Sequence, residues 1–335
     1  MSQTANQNHL ETNNEEELLF TSLRAQDWNE FVGQENIKKS LKIAIQAAAK
    51  RKEAVDHTLF YGPPGLGKTT LSQLIAKEMR VNFRITSGTA LSKASDLAAI
   101  LTNLEDGDIL FIDEIHRLPK AVEETLYPAM EDFCLDIVIG KGPSARTVRL
   151  DLAKFTLVGA TTRFGLLTGP FRDRFGLIHR LEFYQDEELA KIIQEASSKL
   201  SCQINNQAAL SLAKRSRGTP RIALKLFKRV RDFAEVLEKD RVDQELVQRA
   251  LAIFEIDELG LDENDRRLLM AMIKKHNGKA VGLKTLSASI SEDPGTIEEV
   301  LEPYLLQIGF IRRTPKGRMA SSKAYHYFGL TPPED

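Results

Sequence analysis

The sequence predicts an α/β domain built around a parallel sheet, then a helical segment, and finally a small unit of helices and a β-ribbon. In the first half of the chain, short runs that are apolar throughout alternate with stretches of helical periodicity. Such runs are typical of strands that are buried on both faces of a parallel sheet. From residue 186 the strand signals stop while helical periodicity continues, and near the C-terminus three helical stretches precede a ribbon-like tail.

The composition limits the possible classes of protein. At 335 residues with a net charge of −1, the chain has room for two or three domains but carries no overall basic field, so any contact with nucleic acid must come from local patches. Its two cysteines, Cys134 and Cys202, form no CxxC pair, which argues against a disulfide framework or a cysteine-ligated metal. No apolar run approaches the roughly 20 residues of a membrane span and no signal-peptide pattern is present, so we expect a cytoplasmic protein without membrane contact.

The first domain is predicted to cover residues 21–184. Residues 1–20 are rich in Asn, Gln and Glu and show no apolar period, which predicts a disordered tail. Strands are predicted at residues 57–61, 81–86, 109–112 and 155–159, with a helix at residues 69–80.

Two further domains are predicted, a helical lid at residues 185–256 and a winged-helix unit at residues 257–335. In the last unit we expect helices at residues 262–277, ending at Gly278, and at residues 283–290. A third helix shows an apolar stripe, and Pro303 within it predicts a kink. The stripe consists of Ile297, Val300, Leu301, Tyr304, Leu305 and Ile308. Residues 310–328 predict a β-ribbon that turns at residues 315–317, and three helices followed by a ribbon form the winged helix-turn-helix pattern.

An inserted β-hairpin is predicted at about residues 133–152, because two alternating segments flank Gly140-Lys-Gly-Pro143. Ile137, Val138 and Ile139 are consecutive, so at least one of them should face solvent near the tip. Exposed apolar side chains of this kind favour association with a partner protein. The alternative is that all three pack on their own domain.

A phosphate-binding loop is predicted at Gly62-Pro-Pro-Gly-Leu-Gly67-Lys68-Thr69, which follows an apolar strand and opens a helix. Gly65 and Gly67 allow backbone N–H groups to approach phosphates, and the helix N-terminus adds partial positive charge. Lys68 can reach the β- and γ-phosphates of ATP, and Thr69 can ligate Mg²⁺.

A pair of carboxylates ends the apolar segment Ile109-Leu-Phe-Ile-Asp113-Glu114. Asp113 is predicted to hold the magnesium ion through water, and Glu114 to act as general base toward the attacking water. An Asp-Glu pair alone is usually a solvated surface pair, but its place at the end of a buried strand after a phosphate-binding loop favours catalysis. For the neighbouring His116 we favour a structural or surface role.

Two later segments carry candidates that could sense or stabilise the transferring phosphoryl group. Thr162 ends the apolar strand that begins at Phe155 and could lie near the γ-phosphate, although a Thr-Thr pair at a strand end is more often structural. Arg172-Asp-Arg174 offers an arginine finger, which stabilises charge on the phosphoryl group. The alternative for this segment is a surface Arg-Asp pair.

The C-terminal ribbon is the predicted DNA contact. Its basic residues have no acidic residue between them, and they are Arg312, Arg313, Lys316, Arg318 and Lys323. The third helix instead carries acidic residues that we expect to be exposed and to repel phosphate, namely Glu292, Asp293, Glu298, Glu299 and Glu302. The wing should therefore contact DNA at phosphates, without reading sequence, unless it is only a solvated basic turn. A second basic run on the lid, from Lys214 to Arg231, is expected to be mostly a solvated helix face or a subunit contact.

The order of these motifs resembles the AAA+ ATPases, and within them the motors that drive branch migration of Holliday junctions. The resemblance spans about residues 23–330. General AAA+ motifs are Phe31-Val-Gly-Gln-Glu, the phosphate-binding loop through Thr70, Leu110-Phe-Ile-Asp-Glu-Ile-His-Arg117, Gly159-Ala-Thr-Thr162 and Arg172-Asp-Arg-Phe-Gly176. More specific are Gly218-Thr-Pro-Arg-Ile-Ala223 and, in the winged helix, Leu301-Glu-Pro-Tyr304 with Gly309-Phe310 and Arg313-Thr-Pro-Lys-Gly-Arg318.

The resemblance implies a role for each matching position. Arg174 becomes a finger that reaches a neighbouring subunit, Thr162 the first sensor and Arg221 the second sensor. Arg313 and Arg318 would contact DNA. The implied nucleotide-binding residues are Leu23, Arg24, Gly65, Gly67, Lys68, Thr69, Thr70, Glu131, Asp132, Phe133, Arg174, Tyr184 and Arg221.

The resemblance also implies the activity and the partners. It implies an ATP-hydrolysing ring, most simply a homohexamer, that pulls duplex DNA at a Holliday junction. It further implies a junction-binding partner that docks on the hairpin, and a nuclease that resolves the junction. One alternative is another AAA+ DNA machine such as a clamp loader, although the C-terminal unit predicts a DNA-binding wing rather than a helical collar. Another is a nucleotide-regulated transcription factor, against which the acidic third helix argues.

Overall fold

The structure of the protein, a computed structural model, describes residues 20–139 and 146–333, and it leaves the side chains of residues 137–139 undescribed. The predicted tail, residues 1–20, lies outside the described residues except for Phe20. The chain divides into two compact units. The first extends to Tyr184 and takes in Thr219–Arg221, and the second contains Gln185–Gly218 and the chain from Ile222 onward.

The first unit is built on a five-stranded parallel sheet. Its strands are β1 (Thr58–Tyr61), β2 (Phe83–Ser87), β3 (Ile109–Asp113), β6 (Thr156–Thr161) and β7 (Leu177–Arg180). They lie in the order β2-β3-β6-β1-β7. The four predicted strands are confirmed. The sequence did not reveal β7, because this edge strand is alternately half-buried and exposed and so lacks an apolar run.

Helices cover the sheet and meet a core formed by side chains of the three central strands. Helices of this unit include Glu35–Arg51, Lys68–Met79, Ala94–Leu101, Lys120–Glu131 and Gly169–Arg172. Leu59, Leu110 and Leu157, from β1, β3 and β6, are fully buried. Because parallel strands end at the same edge of the sheet, Tyr61, Asp113 and Thr161 all lie at one edge.

The predicted hairpin is present as an antiparallel pair, β4 (Cys134–Ile139) and β5 (Arg146–Asp151). Its turn, residues 140–145, lies outside the described residues. So do the side chains of Ile137, Val138 and Ile139, so their predicted exposure stays a prediction. The backbone register places Ile137 opposite Val148.

The second unit begins with the helices Asp186–Lys199, Asn206–Lys214, Pro220–Val236 and Gln244–Ile253. Asn205 and Asp243 cap two of them by accepting backbone N–H bonds through their side chains. The expectation that strand signals vanish here was wrong in one detail. Two short strands, β8 (Gln203–Ile204) and β9 (Arg241–Val242), pair in parallel, and two residues are too few to show a period.

The C-terminal part contains the three expected helices and the wing. The first, Glu263–Met270, continues through a wider π-helical turn at Ala271–Lys275, and the second is Leu283–Ile290. The third consists of Pro294–Thr296, a π-helical turn at Ile297–Leu301, and Glu302–Gln307. The wing pairs β10 (Ile311–Thr314) with β11 (Gly317–Ala320).

Two details of the C-terminal prediction were wrong. Val300 is 60% exposed rather than part of the apolar stripe, because the π-helical turn shifts the residues around the helix. The ribbon ends at Ala320, and the helix Ser322–Tyr327 follows it. Within the described part of the chain, no helix is long and apolar enough to cross a membrane.

Candidate functional site

The phosphate-binding loop connects β1 to the helix Lys68–Met79, and its glycines are required by close packing. Gly65 and Gly67 have left-handed φ angles of 80° and 98°. A Cβ on Gly67 would lie 3.1 Å from the Phe31 ring, and one on Gly65 would lie 2.9 Å from Cβ of Arg221. The backbone of the loop is therefore fixed from outside, in the form that lets amides surround a phosphate.

Lys68 lies within this loop, and its side chain is buried. Its Nζ donates hydrogen bonds to the carbonyl oxygens of Gly62 at 2.9 Å and Pro63 at 2.8 Å. Burial lowers the pKa of the ammonium group, while the nearby carboxylates of Asp113 and Glu114 oppose that shift. The predicted phosphate ligand and the predicted carboxylates thus belong to one electrostatic site.

Glu114 follows β3 in a left-handed backbone conformation, with φ of 46°. Its N–H donates to Oδ1 of Asp113 at 2.9 Å. The hydroxyl of Thr162 donates to Oε2 of Glu114 at 3.1 Å, so the predicted base and the predicted first sensor are in direct contact. Strained backbone of this kind persists where the surroundings hold it in place, most often at functional sites.

His116 is a member of this cluster, where it has a buried structural position rather than a place at the surface. Its side chain is only 4% exposed, and Nδ1 lies 3.1 Å from Oε2 of Glu114 and 2.9 Å from the hydroxyl of Thr161. The histidine therefore packs directly behind the carboxylate. Its position two residues after the carboxylate pair was the available signal, but a sequence does not show on which side the intervening turn places the ring.

Tyr184 and Arg221 also reach the loop. The buried Tyr184 donates its hydroxyl to the carbonyl of Leu66 at 3.3 Å, and the N–H of Arg221 lies 3.4 Å from the carbonyl of Gly65. Among the other predicted nucleotide residues, Leu23 is buried, and Arg24, Thr69 and Thr70 are half-buried.

Arg174 lies in a second group of side chains. Its guanidinium donates to the carbonyl of Pro170 at 2.5 Å and pairs with Glu131 at 3.1 Å. It also stacks over the Tyr127 ring, 4.2 Å from the centroid. The arginine remains 20% exposed and Glu131 55% exposed, so this pair lies at the surface of the unit.

Asp132 and Phe133 continue the chain beyond Glu131 but differ in their surroundings. Asp132 ends the helix Lys120–Glu131 and is exposed. Phe133 packs edge-on against Phe155 and beside the ring of His57. The structure thus brings Glu131 to the candidate finger, whereas it gives Phe133 a packing role beside the core.

On the wing, Arg313 and Arg318 are cross-strand neighbours and both pair with Glu302. Glu302 was expected to be an exposed acidic residue of the third helix, and that expectation was wrong, since the residue is fully buried. Arg312 and Lys316 are exposed on the same ribbon.

One residue of the basic run on the lid, Arg217, does not lie on a solvated face. It is 9% exposed, and its guanidinium pairs with Asp265 at 2.6 Å and Asp262 at 3.2 Å. Its Nε donates to the carbonyl of Gly260 at 2.9 Å. Arg217 therefore ties the lid to the first helix of the winged-helix part.

The oxygen donors around the phosphate-binding loop fit a magnesium ion better than a transition metal. Asp113 and Thr69 offer hard oxygen ligands, and Mg²⁺ in proteins usually takes only one or two carboxylates together with water and substrate phosphates. Among the described residues, no group of three or more His, Cys, Asp or Glu side chains could hold a metal ion. A magnesium ion here would depend on the nucleotide for its other ligands.

Three family models match successive parts of the chain. They describe a Holliday junction DNA helicase RuvB P-loop domain at residues 23–181, a RuvB AAA lid domain at residues 184–257 and a RuvB C-terminal winged helix domain at residues 258–329. A curated relative, the Holliday junction branch migration complex subunit RuvB of a Nitratiruptor species, is 57% identical over 318 residues, or 95% of each chain.

Similar solved structures come from the same family as these models and the curated relative. The chain is similar to the Thermotoga maritima RuvB Holliday junction branch migration motor, with a TM-score of 0.85 and 50% identity over 93% of this chain and 100% of that one. A mutant of Thermotoga maritima RuvB gives a TM-score of 0.86 and 51% identity over 93% and 99% of the two chains. The chain therefore belongs to the RuvB family of AAA+ P-loop ATPases and has its P-loop, lid and winged-helix domains.

Proposed function

We propose that the chain is an ATP-driven motor that moves duplex DNA through a homohexameric ring and so drives branch migration of Holliday junctions, together with RuvA and RuvC. The observation that carries the proposal is the contact between Glu114 and Thr162 beside Lys68. This contact supports the assignment of a base, a polar sensor and a phosphate-binding cation to one site, as ATP hydrolysis requires. The names of the relatives supply the DNA substrate.

In the proposed reaction, water attacks the γ-phosphorus and the bond to the β–γ bridging oxygen breaks. Lys68 exchanges its bonds to the loop carbonyls for bonds to β- and γ-phosphate oxygens. Glu114 takes the proton of the water, and Thr162 holds that carboxylate in place. Thr69 and Asp113 would hold Mg²⁺, which neutralises charge on the phosphates.

We assign Arg174 to the next subunit's nucleotide. A finger that acts between subunits must lie at a surface, and the exposed pair of Arg174 and Glu131 meets this condition. Arg221 serves the nucleotide of its own chain, since its backbone already contacts Gly65. Each active site would then combine residues of two subunits, which couples hydrolysis to movement around the ring.

We place the docking site for RuvA on the apolar face of the hairpin. Val148 and Leu150 occupy alternate positions of β5, and side chains at alternate positions of a strand share one face. Val148 and Leu150 are 46% and 38% exposed, which is costly unless a partner covers them. The opposite face carries the ion pair of Asp136 with Arg149.

The test is ATP-dependent branch migration of a synthetic four-way junction, with and without RuvA. We expect migration with both proteins, and no migration when the chain carries Lys68→Ala. Val148→Ser with Leu150→Ser should keep ATP hydrolysis but lose stimulation by RuvA, with a loss of affinity of about ten- to a hundredfold for each side chain. Thr147→Ala, on the other face, is the matched control.

Two outcomes would contradict the proposal. Turnover of ATP without junction movement under any condition would favour another AAA+ DNA machine such as a clamp loader. Selective protection of one DNA sequence would favour a nucleotide-regulated transcription factor.

Both cysteines are free thiols, which fits the proposed work on DNA in the reducing cytoplasm.

A further inference from the structure

Glu302 is a buried acid directly beneath the wing. Its side chain is 1% exposed, and its two oxygens accept hydrogen bonds from two guanidinium groups. Arg313 donates through Nε and Nη2, both at 3.0 Å, and Arg318 donates through Nε at 3.1 Å and Nη2 at 3.2 Å. Two forked pairs on one carboxylate fix the planes of both guanidinium groups.

The two arginines differ in their access to solvent. Arg318 is 16% exposed and has a further contact with Glu298 at 3.4 Å, whereas Arg313 is 54% exposed. Arg313 uses Nε and Nη2 on Glu302, so its Nη1 group remains to donate outward. Arg318 is thus enclosed between two carboxylates, and Arg313 is held from behind with one edge open.

By its charge alone, Glu302 should lower the affinity of the wing for DNA. A negative charge beneath the wing repels phosphate, and it partly neutralises the cations that attract it. Its removal should then tighten DNA binding. If Glu302 instead positions the arginines, its removal should weaken DNA binding. A long arginine side chain that loses its support must be ordered at the moment of binding.

We propose that Glu302 is a positioning residue for DNA binding, which holds Arg313 with its open edge toward a phosphate and uses Arg318 as a support for the wing. The proposal rests on the proposed function, in which the wing contacts DNA. It predicts that the loss of an anion weakens the binding of a polyanion.

The experiment compares Glu302→Gln with Glu298→Gln in the full chain, by titration of a fluorescent duplex over a range of salt concentrations. Both variants lose one negative charge beside the wing. Glu302→Gln should weaken duplex binding roughly tenfold and reduce the slope of log affinity against log salt by about one, whatever the sequence of the duplex. Glu298→Gln should bind equally well or more tightly, since it removes charge but leaves both forked pairs on Glu302.

A charge-conserving variant separates positioning from folding. Arg313→Lys keeps the cation but cannot form the fork, so it should weaken DNA binding as Glu302→Gln does. The double variant, Arg313→Lys with Glu302→Gln, should bind DNA little more weakly than either single variant. Thermal unfolding of each variant is measured alongside. If Glu302→Gln is unfolded at the assay temperature, Arg313→Lys decides: a roughly tenfold loss supports the proposal, and unchanged affinity overturns it.

Other results also overturn it. Glu302→Gln that binds more tightly shows that only charge matters, and Glu302→Gln that melts earlier but binds DNA normally shows that the carboxylate is merely structural. Arg313→Ala distinguishes the two proposals. If it leaves duplex binding unchanged, the proposed DNA contact of the wing fails, whereas a loss in Arg313→Ala without one in Glu302→Gln defeats only the role of Glu302.

Discussion

Glu114, the proposed general base, combines a strained backbone with a carboxylate that its neighbours hold in place. Its left-handed backbone turns the chain sharply at the end of β3, and Thr162 and His116 hold its carboxylate. Such a conformation costs of order 1–3 kcal/mol, so the surrounding contacts must maintain it. A carboxylate fixed in this way needs no reorganisation before it accepts a proton.

Replacement of Glu114 by Gln should separate binding from turnover. The amide keeps the size and the contact with the Thr162 hydroxyl but cannot take a proton, so we expect hydrolysis to fall about 10²- to 10⁴-fold. Nucleotide binding should persist, whereas Lys68→Ala should abolish it. Binding of a fluorescent ATP analogue and release of phosphate measure the two effects, and near-normal turnover in Glu114→Gln would remove Glu114 from the mechanism.

At this scale the sequence predicted which candidate residues lie at the ends of parallel strands. Asp113, Glu114 and Thr162 come at strand ends, and neighbouring strand ends meet. The places of His116 and Glu302 could not be predicted in this way. Both depend on the direction of a turn, and in the case of Glu302 a π-helical turn carries the side chain from the expected exposed face into the interior.

Among the elements, the third helix of the winged-helix part shows why regular periodicity failed. Pro303 has no N–H and therefore cannot complete the hydrogen-bond ladder of a regular helix. The wider turn at Ile297–Leu301 precedes it and adds a residue to one turn. Val300 consequently faces solvent, and Glu302 lies beneath the wing, where it meets Arg313 and Arg318.

A buried ion pair connects the lid to the first helix of the winged-helix part. Arg217 has a left-handed backbone, directly before Gly218, and its guanidinium lies against Asp265 and the ring of Tyr304. Burial raises the pKa of Asp265 to about 6, although Arg217 opposes the shift, and Asp262 raises it further. Ionisation of Asp265 therefore destabilises the folded state relative to the form in which this carboxyl group is protonated.

The sign of the resulting pH dependence follows from linkage. Between the ordinary pKa of 3.8 and the folded value of about 6, the folded protein holds more protons than the unfolded chain. The contribution of Asp265 to the free energy of unfolding should therefore fall as pH rises through this window, by at most about 3 kcal/mol. The hydrogen-bonded Asp96 and Asp136 have lowered pKa values and so act below it.

Replacement of Asp265 by Asn should flatten this dependence, because the amide does not titrate. Urea unfolding of both proteins at several pH values between about 4 and 7 measures it. The difference in unfolding free energy between wild type and variant should shift in favour of the wild type as pH falls. Parallel curves across the window would show that Asp265 is not the responsible group.

At the scale of the whole molecule, the order of a parallel-sheet domain, a helical lid and a winged helix could be predicted from periodicity and motifs. What could not be predicted were the elements with little sequence signal, namely β7, β8 and β9. The motifs alone do not show that the nucleotide residues divide into two groups, although the family resemblance implied that Arg174 reaches a neighbouring subunit. Lys68 and Glu114 share one site, while Arg174 lies with Glu131 at a surface, which is the arrangement expected if each site is completed by a neighbouring subunit.

Mixed assemblies test this division. Lys68→Ala lacks a working P-loop site but keeps its finger, and Arg174→Ala has the reverse defect, so each should be inactive alone. In an equal mixture that assembles at random, about one interface in four joins an intact P-loop site to an intact finger, because ring interfaces are head-to-tail. We therefore expect hydrolysis to recover to a fraction of the wild-type level. The control is a mixture of Lys68→Ala with Glu114→Gln, whose defects lie in the same P-loop site, so that every interface stays impaired. Co-assembly is verified by pull-down of differently tagged subunits, and a mixture that assembles but regains no hydrolysis at any ratio would show that Arg174 does not act on the neighbouring subunit.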